Sequence, residues 1–246
     1  MTADGRRRRG RGHLWLLLPA AALAALWLSW RCLAAADFLY PVFYDALNIG
    51  AHIEHFGPQN RYKAGFATTT REEHLRLFGA VVDAIHDSGQ GLETLVYHDP
   101  AGRPMDRFLR APEVVHLQDV ARLVDAIKPV GWLAVAWTAL HLLLIHVRGW
   151  PVPRLGGLLA ASLAATGAFV LAVLAVGPRR VVYEFHVRVF PPENPWFFYY
   201  QDSLMTTMMK APDLFGAIAA TLLALGLVFY MLLLLAARRL SSAGSG

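Results

Sequence analysis

Two histidines, His116 and His186, sit among charged neighbours at spacings that suit proton transfer. His116 falls between Glu113 and Asp119. On a helix those carboxylates lie about one turn to either side of the imidazole. His186 falls between Glu184 and Arg188. A neutral imidazole is a good general base, and an adjacent carboxylate fixes its tautomer. A guanidinium can polarise a carbonyl or stabilise an oxyanion. No Gly-x-Ser-x-Gly elbow occurs, Cys32 has no evident base beside it, and nothing marks Ser88 or Ser203 as a nucleophile. Two bases without a nucleophile suit direct transfer between groups of one bound substrate. A metal site is the other chemical reading. Glu113-x-x-His116 has the spacing of carboxylate di-metal bundles, and Glu184 with His186 could complete it. Such bundles use matching motifs on several helices, and one is present here.

The elements that must hold these residues follow from pattern. Residues 111–128 read as a helix. Pro112 suits its start and Glu113 its positive first turn. Val120, Leu123, Val124 and Ile127 form an apolar stripe, with Gln118, Arg122 and Asp125 opposite. At about 100° per residue His116 points within roughly 40° of Val120, Leu123 and Ile127, so a titratable ring is expected on the buried side. Residues 181–190 alternate with period two, which predicts a strand. Tyr183, Phe185, Val187 and Val189 take one face, and Glu184, His186 and Arg188 the other. Trp196 opens an aromatic run that resembles an interfacial belt, and Asp202 follows it. Upstream, residues 37–56 read as helical and aromatic. Thr70-Arg71-Glu72-Glu73 reads as a capping box. Residues 92–97 are expected to form a strand, with a turn at Asp99-Pro100-Ala101-Gly102.

The chain of 246 residues contains four apolar runs near the roughly 20 residues that cross a bilayer. These place it as a mainly α integral membrane protein of about four transmembrane helices with a small α+β extracytoplasmic cap. The expected plan is a basic tail at 1–13, span one at 14–35, the cap at 36–129 and span two at 130–147. A turn at 148–156 leads to span three at 157–177. A second outer segment, with the strand and the interfacial aromatics, occupies 178–213. Span four at 214–237 and a tail at 238–246 complete it. The first apolar run exceeds a signal-peptide core and is expected to stay as an anchor. Arg6, Arg7, Arg8, Arg9, Arg11, Arg148, Arg154, Arg238 and Arg239 all fall on one side of that plan, which predicts both termini in the cytoplasm. The positive net charge of +5 therefore marks topology and gives no reason to expect nucleic acid. The single cysteine excludes an internal disulfide framework. His141 and His146 lie in span two, but the other spans hold no histidine to complete a haem site.

Glu113-Val114-Val115-His116-Leu117-Gln118-Asp119-Val120, then Phe185-His186-Val187-Arg188-Val189-Phe190 and Trp196, resemble the bacterial four-span integral membrane family that includes the lipoprotein intramolecular transacylases. The resemblance extends over residues 14–235. It implies transfer of an acyl chain from the glycerol of a diacylglyceryl-cysteine to the α-amine of the same cysteine. It further implies His116 and His186 as the proton relays. The residues' own placement adds Glu113, Asp119, Glu184, Arg188, Trp196 and Asp202 as the expected supporting set. A lipid-modified lipoprotein would be the substrate and membrane lipids the neighbours, with no cofactor. The place would be the bacterial cytoplasmic membrane, with the active face extracytoplasmic. Two alternatives stay open on the residues alone. One is a non-catalytic envelope protein whose cap binds a partner or ligand, and the other is a metal-binding membrane protein.

Overall fold

A computed structural model describes residues 12–153 and 155–243. Arg6, Arg7, Arg8, Arg9, Arg11 and Arg154, whose charges carry much of the expected orientation, lie outside the described residues. The chain is mainly helical, and four helices are long and apolar enough to cross a membrane. They are α1 (Leu14–Ala34), α5 (Ala111–Arg148), α6 (Leu155–Val176) and α9 (Asp213–Ala243). Shorter elements lie between them. These are α2 (Tyr40–Ala46), α3 (Ile49–Phe56), α4 (Arg71–His86), β1 (Val96–His98), β2 (Pro104–Arg107), α7 (Pro178–Val189) and α8 (Leu204–Met208).

The chain divides into two compact units. The first holds Met1–Arg31, Lys128–Phe185 and Leu222–Gly246. Its core joins Leu17, Ala21 and Ala25 of α1 to Ile145 of α5 and to Tyr230, Leu234 and Ala237 of α9. Small residues set the approach. A Cβ on Gly131 would lie 2.3 Å from the Trp27 ring, so glycine is what lets the α5 backbone reach the indole. Ser29 Oγ donates to the Leu222 carbonyl at 3.0 Å, satisfying a hydroxyl in apolar surroundings. Leu163, Phe169, Leu171 and Leu174 of α6 are exposed, as befits side chains that meet lipid.

The second unit holds Cys32–Ile127 and His186–Thr221. Tyr40 stacks on Phe78 at 4.0 Å, and Phe66, Tyr97 and Phe108 pack as a buried aromatic cluster beside them. The 37–56 stretch is a 3-10 turn (Asp37–Leu39) followed by two short helices, which Asn48 separates by taking the left-handed conformation (φ 52°). Thr70 caps α4 by accepting from the Glu73 amide at 3.2 Å. The Glu73 carboxylate is spent elsewhere, on Arg76 and on the amide and Nδ1 of His98. It thereby ties α4 to β1.

Two expected strands need correction. Residues 92–94 form a 3-10 turn, and the strand begins at Val96, pairing antiparallel with β2. Asp99 accepts from the amides of Ala101 and Arg103, both at 2.9 Å, and Gly102 (φ 77°) completes that turn. Residues 181–190 do not form a strand. Pro178–Val189 is the helix α7. The Gly177 amide closes α6 on the Val173 carbonyl, with φ 93°, and Pro178 opens the next helix. That Gly-Pro pair was the signal of a helix stop and start. The apolar set Tyr183, Phe185, Val187 and Val189 is exposed, so its alternation did not trace a buried sheet face.

The helix expected at 111–128 forms, and continues unbroken through Pro129 to Arg148. At 38 residues it is about 57 Å long, nearly twice the hydrocarbon thickness. Its first half carries Glu113, Asp119, Arg122, Asp125 and Lys128, and its span-like part is the apolar half from Val130 on. The buried positions of the first half are Glu113, Val114, His116, Leu117, Asp119, Ala121 and Val124. Ile127, placed by periodicity on the buried stripe, is exposed.

Candidate active site

His116, in the charged half of α5, and His186, near the C-terminus of α7, come together in the second unit with ring centroids 5.9 Å apart. Phe190, one turn beyond His186, packs on both rings, at 5.1 Å from His116 and 5.3 Å from His186. Trp196 stacks on His186 at 4.4 Å, and Phe198 stands 6.3 Å from His116. The pair therefore has three aromatic walls. Residues 196–200 alternate in exposure, turning Trp196 and Phe198 inward while Phe197 and Tyr199 face out.

His116 is 9% exposed, and its Nδ1 is buried without a hydrogen-bond partner among the described residues. Buried ring nitrogens are normally paired. His74 illustrates the ordinary case. It is buried too, at 3% exposure, but Tyr44 Oη lies 2.9 Å from its Nδ1 and Thr69 Oγ1 2.7 Å from its Nε2. Burial pushes both imidazoles down to about 4, and at His116 the neighbouring His186 adds to the effect while Asp119 opposes it. A neutral imidazole with an open buried nitrogen is equipped to accept a proton from a bound group.

The two carboxylates of the His116 row are engaged by other partners. Glu113 is fully buried. It accepts from Ser203 Oγ and from the Arg110 amide at 2.8 Å, with Arg110 Nε 3.4 Å away. Burial raises its pKa above the usual carboxylate value, and the Ser203 hydrogen bond opposes that rise. Ser203 also accepts from the Thr206 amide at 2.9 Å, capping α8. A hydroxyl with no solvent exposure, bonded in both directions, is a brace and not a nucleophile. Asp119 is buried, with one oxygen on Arg122 and the other accepting from Asn194 Nδ2 at 2.7 Å.

The remaining sequence candidates separate. Because α7 is a helix, Glu184 and Arg188 point about 160° away from His186 around its axis. The shared face that suggested a carbonyl-polarising Arg188 is not present. Asp202 pairs with Arg61 at 3.4 Å instead of joining the histidines. Sequence reasoning passed over Phe190, Asn194, Phe198, Ser203 and Arg110. Phe190 stands in the motif that carries the resemblance, but its place beside both rings follows from its helical spacing from His186, legible once that segment is read as α7. No group of three or more His, Cys, Asp or Glu side chains that could hold a metal ion occurs among the described residues.

Four span-length apolar helices, with a second unit in which two histidine rings meet, define a multi-pass membrane protein of mainly helical fold. In fold, the chain is similar to a variant of the membrane integral lipoprotein intramolecular transacylase Lit from Bacillus cereus, solved in meso. The likeness covers 98% of this chain and 97% of that one, with a TM-score of 0.59 and 15% sequence identity. No family model matches the sequence, and no curated protein matches it.

Proposed function

We propose that this protein is a membrane acyltransferase that moves an acyl chain from the diacylglyceryl group of a lipoprotein to the amine of its N-terminal cysteine. The observation that carries this reading is the juxtaposition of His116 and His186 at 5.9 Å behind aromatic walls. The fold likeness to a lipoprotein transacylase supports it. The amine attacks the ester carbonyl and forms the new C–N bond, while one imidazole takes the amine proton. Collapse breaks the ester C–O bond, and that proton, passed from the first imidazole to the second, is delivered to the leaving glycerol oxygen, so both rings end neutral. Donor and acceptor belong to one substrate, so proximity supplies much of the acceleration. Each proton transfer contributes on the order of 10²–10⁴ in rate. His116, the buried ring with the open nitrogen, and His186, stacked on Trp196, divide the two proton steps. The unit that holds them faces away from the cytoplasm, with both chain termini inside.

Mass spectrometry of a reporter lipoprotein's N-terminal peptide tests this. The reporter is co-expressed with wild type, His116→Ala or His186→Ala in a host unable to N-acylate. The expected result is N-acyl, S-monoacylglyceryl cysteine with wild type alone. An unchanged diacylglyceryl peptide beside membrane-inserted wild type would overturn the reading.

A further inference from the structure

The bond between Asn194 and Asp119 lies close to both histidines along the chain. Asp119 is one turn beyond His116 on α5. Asn194 closes the turn after α7, its amide donating to the Pro191 carbonyl at 3.1 Å. Phe190 precedes that turn and Trp196 follows it, and these are the side chains that wall the imidazoles. The side-chain bond is 2.7 Å long and its acceptor is 5% exposed. The other oxygen of Asp119 goes to Arg122, whose side chain is 67% exposed. Asn194 is thus the partner that ties Asp119 to the 190–196 stretch, and Arg122 is its partner toward solvent.

We infer that Asn194 is a positioning residue for the histidine pair: its amide, held on Asp119, fixes the turn that sets Phe190 and Trp196 against the two rings. This rests on the acyl-transfer reading for its kinetic consequence but not for its geometric one. An amide suits the role because it donates to a buried carboxylate without adding charge. A carboxylate in its place would meet a like charge at hydrogen-bonding distance.

The test uses the purified full chain in detergent with two readouts. One is kcat and KM for acyl transfer. The other is the rate at which diethyl pyrocarbonate modifies His116 and His186, mapped by peptide mass spectrometry, which needs no activity. Asn194→Ala is expected to lower kcat about tenfold with KM changed less than about threefold, since bound substrate meets misplaced bases. It is expected to raise modification of both rings about threefold or more as the walls loosen. Asn194→Asp should be worse on both counts. The double variant Asn194→Asp/Asp119→Asn reverses donor and acceptor and should recover most of both losses. Wild-type kcat and modification rates in Asn194→Ala would overturn the inference. So would a double variant no better than Asn194→Asp, or one that is not recovered from the membrane. If wild type performs no transfer, the acyl-transfer reading fails while the modification rates still decide the role of Asn194.

Discussion

At the scale of single residues, the site depends on burial more than on paired charge. His116 titrates near 6.5 in an unfolded chain and at about 4 when folded. Between those values the unfolded chain binds a proton that the folded one refuses. Stability is therefore lost as pH falls from about 6.5 toward 4, and His116→Gln should flatten that part of the slope. Denaturation midpoints in detergent across that window measure it. Glu113 has the opposite sign. Burial raises its folded value, so its charged form costs stability as pH rises above the ordinary carboxylate range. Glu113→Gln keeps an acceptor for the Ser203 hydroxyl or the Arg110 amide and should be at least as stable as wild type at pH 8. Glu113→Ala leaves both donors unpaired and should cost about 1–3 kcal/mol in the same assay. Neither Ser203 nor Asn194 was legible as a partner beforehand. Each meets its carboxylate across 90 or 75 residues of sequence, which no local spacing encodes.

At the scale of elements, the sequence was readable wherever one periodicity acted alone. The helix bearing His116, the Thr70 cap and the apolar spans each carried an unopposed signal. At 181–190 two signals competed. Period-two alternation of β-branched and aromatic residues argued for a strand, and Gly177-Pro178 argued for a helix start. The helix formed, and the error propagated to the site, since a strand would have put Glu184, His186 and Arg188 on one face. Close approach also has to be seen in three dimensions. Gly131→Ala places a methyl against the buried Trp27 ring, 5% exposed, which has little room to move. It should cost about 1–3 kcal/mol by overpacking, read as a lower thermal midpoint in detergent without loss of membrane insertion.

At the scale of the whole molecule, the proposed orientation can be checked with the chain's own chemistry. Cys32 is the only cysteine. In a Cys32→Ser background, a cysteine introduced at exposed Asp87 or Gly102 should react with a membrane-impermeant maleimide added to intact cells. One introduced at exposed Arg239 should react only after the cells are opened. Labelling in the reverse order would invert the topology. The histidine-bearing unit has a further consequence, for how the protein is made. It is assembled from two stretches, Cys32–Ile127 and His186–Thr221, and the residues between them belong to the other unit. A ribosome therefore delivers His116 well before His186, and the intervening helices must be synthesised before the second ring exists. Two polypeptides cut between residues 149 and 153, each bringing one histidine of the pair, should regain the proposed transfer only when both are produced in the same cell.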